Sequence, residues 1–270
     1  MTRFGWLGLL LLQLGPSGLA AQLRPLEPLD WQAMDSEVGA ISVGASVFTG
    51  QRASLAGTEG RLYEIGAYAA IAHFGRISIQ IGGAALRLFY DRSVFAAPTG
   101  GALPADPPRR DTGDHQVHTV VRLTSQDRPA AAVFRFGVRL PTTNNLKGLE
   151  RDQTDFVATF GGRVRRGAWT ATGEFGMGVH GTRDLLVEQV DPLLYAVTLG
   201  YRRRGVSARV VIQGQHDTRS TADYRGTEDL SELRFELEGG RTRFVRLSAF
   251  RGWAVFSPDF GLSITTGVRF

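Results

Sequence analysis

Two groups of side chains in this 270-residue sequence carry residue types used for metal or acid–base chemistry. His115 and His118 stand beside Asp111 and Asp114; further on come Glu150, Asp152 and Asp155. The first group lacks the spacing of an established zinc site and the second lacks the ordered spacing of an EF-hand, so no metal site is expected. His73 and His180 have no serine or carboxylate at motif spacing, and no G-x-S-x-G elbow is present. A lipid-modifying serine hydrolase is therefore the weakest of the functional readings. Gly82-Gly83 and Gly161-Gly162 fall in strand-like segments with no following helix, so they are not phosphate loops. They are expected to let crowded strands bend or approach closely. The absence of cysteine excludes a thiolate site, a thiol nucleophile, a disulfide scaffold and a lipidated cysteine. The expectation is a protein that is not an enzyme and has no cofactor.

What the chain holds in quantity is arginine. Lys and Arg number 31 against 26 Asp and Glu, a formal charge of +5, and Lys147 is the only lysine. The bases are thus almost all planar, permanently charged guanidinium forks. The Arg202-Arg203-Arg204 run falls at a tight turn, where it suits lipid phosphates better than nucleic acid. No nucleic-acid partner is expected.

The elements that must position these charges are strands. From Ser36 onward apolar and polar residues alternate with period two, and no helical stripe interrupts them. Ile77, Ile79 and Ile81 oppose Arg76, Ser78 and Gln80; Phe134, Phe136 and Val138 oppose Arg135, Gly137 and Arg139. About twelve such segments follow one another. Long connections, at 50–60, 91–116, 141–153, 181–192, 216–229 and 252–258, alternate with tight ones near 73–76, 125–130, 165–168, 203–205 and 239–241. That alternation is the signature of an up-and-down membrane barrel. Mean hydropathy of only −0.09 agrees, because an apolar outer face is averaged with a polar inner one. Two-residue turns at Arg166-Gly167 and Arg204-Gly205 switch the outward residues between odd and even, as hairpins require. The register so defined sets Thr159 opposite Glu174 and Gly200 opposite Arg209.

Upstream, Arg3 precedes an apolar run from Phe4 to Leu14 and the small pair Ala20-Ala21, the form of a secretory signal peptide. The organisation expected is a cleaved signal peptide at 1–21, an extended periplasmic tail at 22–35, and a barrel at 36–270. The fold class is all-β: a transmembrane up-and-down antiparallel β-barrel of about twelve strands in the outer membrane. Phe270 closes the last strand on its apolar face, where it resembles an assembly signal read by the barrel-assembly machinery. Outer-membrane lipid is the other expected partner, and Tyr63, Trp169 and Tyr201 lie where aromatic girdles belong.

This topology turns Glu64, Arg76, His118, Arg122, Arg135, Arg139, Arg163, Glu174, Arg209, Glu232, Arg234, Glu236 and Arg269 inward. One reading is an electrostatically lined passage or gate for small solutes. The other is a cross-strand mesh of ion pairs that fills and stiffens the barrel. Arg139 and Asp155 flank a long polar connection and are expected to latch its two strands. A surface-binding barrel with a plugged lumen would instead display the 91–116 connection, with Pro98, Pro104, Pro107 and Pro108 holding it extended.

The stretch Phe134-Arg-Phe-Gly-Val-Arg-Leu-Pro141, followed by Gly148-Leu-Glu-Arg-Asp-Gln-Thr-Asp-Phe156, resembles a family of barrels. It is similar to the outer-membrane transporters linked to the meta-pathway of phenol degradation, in which a K-L-P strand end precedes a G-x-x-x-D-x-T-D strand start. Arg139 stands where the family usually has lysine. The resemblance extends weakly over residues 36–270 and implies a channel for passive uptake of small organic, often aromatic, solutes. It carries no catalytic residues.

Overall fold

The computed structural model describes residues 24–50, 60–91, 108–125, 127–143, 154–180, 191–217, 229–254 and 257–270. The expected signal peptide lies outside the described residues, as do Pro98, Pro104, Pro107, Glu150 and Asp152. One helical turn, α1 (Trp31–Met34), precedes thirteen strands. They are β1 (Gly39–Gly50), β2 (Gly60–Phe74), β3 (Ile77–Asp91), β4 (Arg109–Asp111), β5 (His115–Arg122), β6 (Ala130–Leu140) and β7 (Asp155–Arg166). After them come β8 (Trp169–Val179), β9 (Pro192–Arg203), β10 (Val206–Asp217), β11 (Leu230–Gly240), β12 (Arg243–Gly252) and β13 (Phe260–Arg269).

Sequential strands pair antiparallel, and β13 returns to β1, from Ala40 opposite Arg269 to Thr49 opposite Phe260. The sheet is therefore closed. β4 and β5 both pair with β3 on one register, with Phe89 opposite Arg109 and Ile77 opposite Val121. They are a single strand interrupted at 112–114, and the wall is a closed antiparallel barrel of 12 strands. A strand of about 12 residues at ~3.3 Å each, tilted by ~40°, rises roughly 30 Å, the thickness of a bilayer core.

Local chemistry sets the register at the turns. Arg204 and Gly205 have φ of 51° and 85°, the paired positive values of a type I′ turn, and Arg209 faces Gly200 as expected. At the β7–β8 hairpin the central residues are Gly167 and Ala168, because Arg166 pairs with Trp169. Thr159 consequently faces Gly176, not Glu174. The slip is by two residues, so every side chain keeps its face, and the Thr159 hydroxyl still reaches Glu174 diagonally at 2.5 Å.

A fault crosses three neighbouring strands. Gly66, at φ 66°, bulges from β2 and shifts its register against β1. On the loop side of it Leu62 and Glu64 face inward; on the turn side Ile71 and His73 do. In β3 the inward set passes from Ser78 and Ala84 to Arg87 and Phe89. The break at 112–114 continues the line, where Gly113 N donates to Ala84 O at 2.9 Å and the Asp114 carboxylate accepts from Thr142 N and Thr143 N.

The apolar face points outward. Phe160 is 64% exposed and Phe175 59%, whereas inward Arg163 and Asp155 are 2% exposed. Burial is inverted relative to a water-soluble barrel, which only a lipid surround makes favourable. Aromatic pairs mark both ends: Trp169 with Tyr201 at 4.9 Å near the tight turns, and Tyr63 with Tyr90 at 5.5 Å near the long connections. Phe270 lies on the outer face, and its backbone closes the seam by accepting from Val38 N and Gly39 N and donating to Gly39 O. Phe160→Arg, at the middle of β7, is expected to cost about 2–4 kcal/mol of barrel stability in vesicles, read by urea unfolding.

Candidate functional site

Residues 24–35, part of the stretch 22–35 expected as a periplasmic tail, lie inside the barrel. Asp30 caps α1, its Oδ1 accepting from Gln32 N at 3.0 Å and Ala33 N at 3.2 Å. Pro25 and Pro28 hold the preceding stretch extended. Leu29, Trp31, Ala33 and Met34 are buried with Ile71, Val120, Ala131 and Val133 in an apolar layer at the turn end of the lumen. Gly161 admits them, since a Cβ there would stand 3.0 Å from both Leu29 Cδ1 and Val133 Cγ2. The glycine's task is to make room for this segment, not to bend strands. Above the Trp31 ring sits the Arg163 guanidinium, 5.3 Å from the centroid.

Charge holds the rest of the segment. Glu27 pairs in bidentate fashion with Arg234 at 2.7 and 2.9 Å. Asp30 Oδ2 meets Arg246 at 2.5 Å, and its Oδ1 lies 3.7 Å from Arg209. Asp35 pairs with Arg163. Arg24 reaches Glu232 at 3.0 and 3.2 Å and stacks over the Phe250 ring at 4.5 Å. Backbone groups are held too: Arg135 donates to Glu27 O, Arg122 to Met34 O, and Leu29 N to Glu174 Oε2, each at 3.0 Å. Burial alone would raise the Asp30 carboxyl, but Arg246, Arg209 and Arg269 outweigh it and hold the group well below the usual carboxylate range. For Glu27 the same opposition, with Arg234 foremost among the arginines, also ends in a lowered value. Both carboxylates thus dock ionised.

Most of the inward residues read from sequence are tied into ion pairs. Arg135 meets Glu174 at 2.5 Å, Arg209 meets Glu236 at 2.7 Å, and Arg234 lies between Glu232 at 2.5 Å and Glu236 at 3.4 Å. Arg139 faces and pairs with Asp155. Glu64 pairs with Arg87 at 2.8 Å, and Arg269 with Glu238 at 2.9 Å. Arg163 and Arg122 serve the inner segment as described. Arg76 does not belong: it sits in the β2–β3 turn and is exposed. Of the Arg202–Arg204 run, Arg202 turns inward to Gln32 Oε1 at 3.3 Å, while Arg203 and Arg204 are exposed. His115 Nδ1 is engaged by the Tyr68 hydroxyl at 2.6 Å, and His118 is buried. Among the described residues no three His, Asp or Glu side chains gather as a metal set.

Sequence reasoning did not find Arg24, Glu27, Asp30, Asp35, Arg87 or Arg246. The first four lie in a segment without periodicity. Their signal was indirect, in a wall pattern richer in arginine than in acid.

The inner segment does not fill the lumen. A cavity of about 350 Å³ remains between it and the wall, bordered by Ser42, Gly44 and Ser46 of β1, Ser248 of β12, and Ser263 and Thr265 of β13. Arg246 and Arg269 reach its edge.

Among solved structures the chain is similar to an outer-membrane channel from Pseudomonas putida F1, with TM-score 0.60 and 13% identity over 91% of this chain and 100% of that one. It is also similar to the KdgM porin, with TM-score 0.51 and 5% identity over 86% and 99% of the two chains. The transport unit of the autotransporter AIDA-I from Escherichia coli matches at TM-score 0.51 and 10% identity, over 94% and 95%. The fold is that of outer-membrane barrels. No family model matches the chain, and no curated protein does. The phenol-degradation resemblance therefore has no support at family level. The likeness extends to barrel architecture; the charged interior and the apolar exterior are read from this chain's own side chains.

Proposed function

We propose that this protein is a non-enzymatic outer-membrane channel for passive passage of small polar and anionic organic solutes, aromatic acids among them. Residues 24–35 are its resident constriction, with the tight turns in the periplasm and the long connections outside the cell. Export uses the signal peptide, cleaved after Ala20 or Ala21, and insertion uses the barrel-assembly machinery acting on the strand that ends at Phe270. The observation that supports this reading is the unfilled cavity of about 350 Å³ beside the inner segment, in a lumen lined by arginine, carboxylate and serine. A wall meant only to be solid would carry side chains that meet across the axis. Here the small residues of β1 leave that space open.

A braced, sealed barrel is the second reading, favoured by the ion pairs that tie residues 24–35 to the wall. Planar bilayers separate the two. The mature chain should show small conductance steps, and a chain lacking residues 22–36 should show steps severalfold larger. Silence from both would overturn the channel reading.

A further inference from the structure

We propose that Arg209, Arg246 and Arg269 form a binding site for small organic di- and tricarboxylates, and that Asp30 occupies it as a tethered substitute. The inference rests on the channel reading for its biological use but stands on separate geometry. Asp30 brings its carboxylate to Arg246 at 2.5 Å and to Arg209 at 3.7 Å. On the wall side, Arg209 holds Glu236 at 2.7 Å, Arg246 holds Glu238 at 2.8 Å and Arg269 holds Glu238 at 2.9 Å. Three guanidinium groups therefore face two wall carboxylates, and Asp30 supplies the third negative charge. Withdraw it and the site has a net positive charge in a confined space, which must be met by an anion.

Two further observations point to a ligand. Arg209 Nε and Arg269 Nε are buried donors without a hydrogen-bond partner among the described residues, so the forks are not saturated by the groups present. The site also opens onto the cavity of about 350 Å³, at the small end of the range of ligand pockets. Arg246 and Arg269 border that cavity on one side, and the hydroxyls of Ser263 and Thr265 on another. A planar carboxylate meets a guanidinium fork in bidentate geometry, and hydroxyls donate to the remaining oxygens. Arg135 also lines that cavity, where a second carboxylate on the same solute would meet it.

Citrate is the probe. Asp30→Asn keeps the helix cap, because asparagine caps as well as aspartate, and removes only the competing charge. Calorimetric titration of the refolded barrel should show citrate binding the Asp30→Asn chain at least tenfold more tightly than the unaltered chain. Adding Arg246→Gln should abolish the gain, and the heat-modifiable gel shift checks that the barrel is closed. If Arg246→Gln prevents closure, Arg269→Gln takes its place in the same comparison. Equal citrate affinity with and without Asp30, or a gain that survives loss of the arginine in a closed barrel, overturns the proposal. Conductance is read on the same samples. A chain that conducts but does not discriminate citrate loses only the carboxylate site; one that binds citrate without conducting loses the channel reading and keeps the site.

Discussion

Asp30→Arg is expected to expel the inner segment from the lumen and to raise the conductance of the barrel toward that of the chain without residues 22–36. The native carboxylate lies 2.5 Å from Arg246 and 3.7 Å from Arg209. Reversal sets a fourth guanidinium among Arg209, Arg246 and Arg269 and removes the oxygen that caps α1. Like charges brought together away from bulk water cost several kcal/mol, and the lost cap adds about 1 kcal/mol. The wall has less to lose. Glu236 and Glu238 still neutralise two of the three arginines, so the barrel stays closed and the cost falls on docking. Proteinase K digestion of the folded barrel should then cleave between residues 24 and 36, where the unaltered chain is protected. Unchanged conductance and unchanged protection together would show that the apolar layer alone holds the segment.

Trp31→Ala tests that layer directly. Trp31 is 6% exposed, packed with Leu29, Met34 and Val133 and lying beneath Arg163. Truncating a buried tryptophan costs about 3–5 kcal/mol, the lost cation–π contact included in that range. Because the side chain belongs to a tethered segment, the loss weakens docking by that amount and leaves strand pairing intact. The expected result is frequent excursions to the large conductance level with an unaltered heat-modifiable shift. Trp31→Phe keeps an aromatic face against Arg163 and should lose much less. If Trp31→Ala instead lowered the temperature at which the barrel opens, the segment would be part of the wall's own stability.

The wall was legible in the sequence because its physics is local. Alternation follows from the pleat, and the alternating connection lengths follow from hairpins on one end and longer connections on the other. Gly200 opposite Arg209 came out right because Arg204-Gly205 is a turn whose positive φ values its residues announce. The β7–β8 hairpin came out two residues off because Gly167 suits either of two adjacent turns, and facing is the same in both. The fault at Gly66 and 112–114 was invisible for a different reason. Alanines and glycines around it, such as Ala67, Ala69, Gly82 and Ala84, give no alternation to interrupt. The β3 alternation runs on through Arg76 in the sequence, but the turn has already begun there and its side chain leaves the lumen.

The occupied lumen was not legible at all, and the cause is non-local. Residues 22–35 have no period, and what fixes 24–35 is charge and an apolar layer on strands far along the chain. Arg24, Glu27 and Asp30 meet partners 208, 207 and 216 residues away. Composition hinted at a surplus of arginine but not at where its counter-charges come from.

Those separations have a consequence for assembly. The segment is tethered beside β1, whereas Glu27 and Asp30 pair with Arg234 and Arg246 on β11 and β12, among the last strands of the chain. Once β13 has zipped onto β1, reaching them requires pulling three carboxyl side chains and a tryptophan through a finished ring. Docking onto an open, curved sheet avoids that passage. Docked in that order the segment would act as a mandrel, gathering β10–β12 around itself while the seam is still parted and bringing β13 within reach of β1. Barrels lacking residues 22–36 should close to the same final structure but more slowly, because the long loop closure is then left to the two end strands alone.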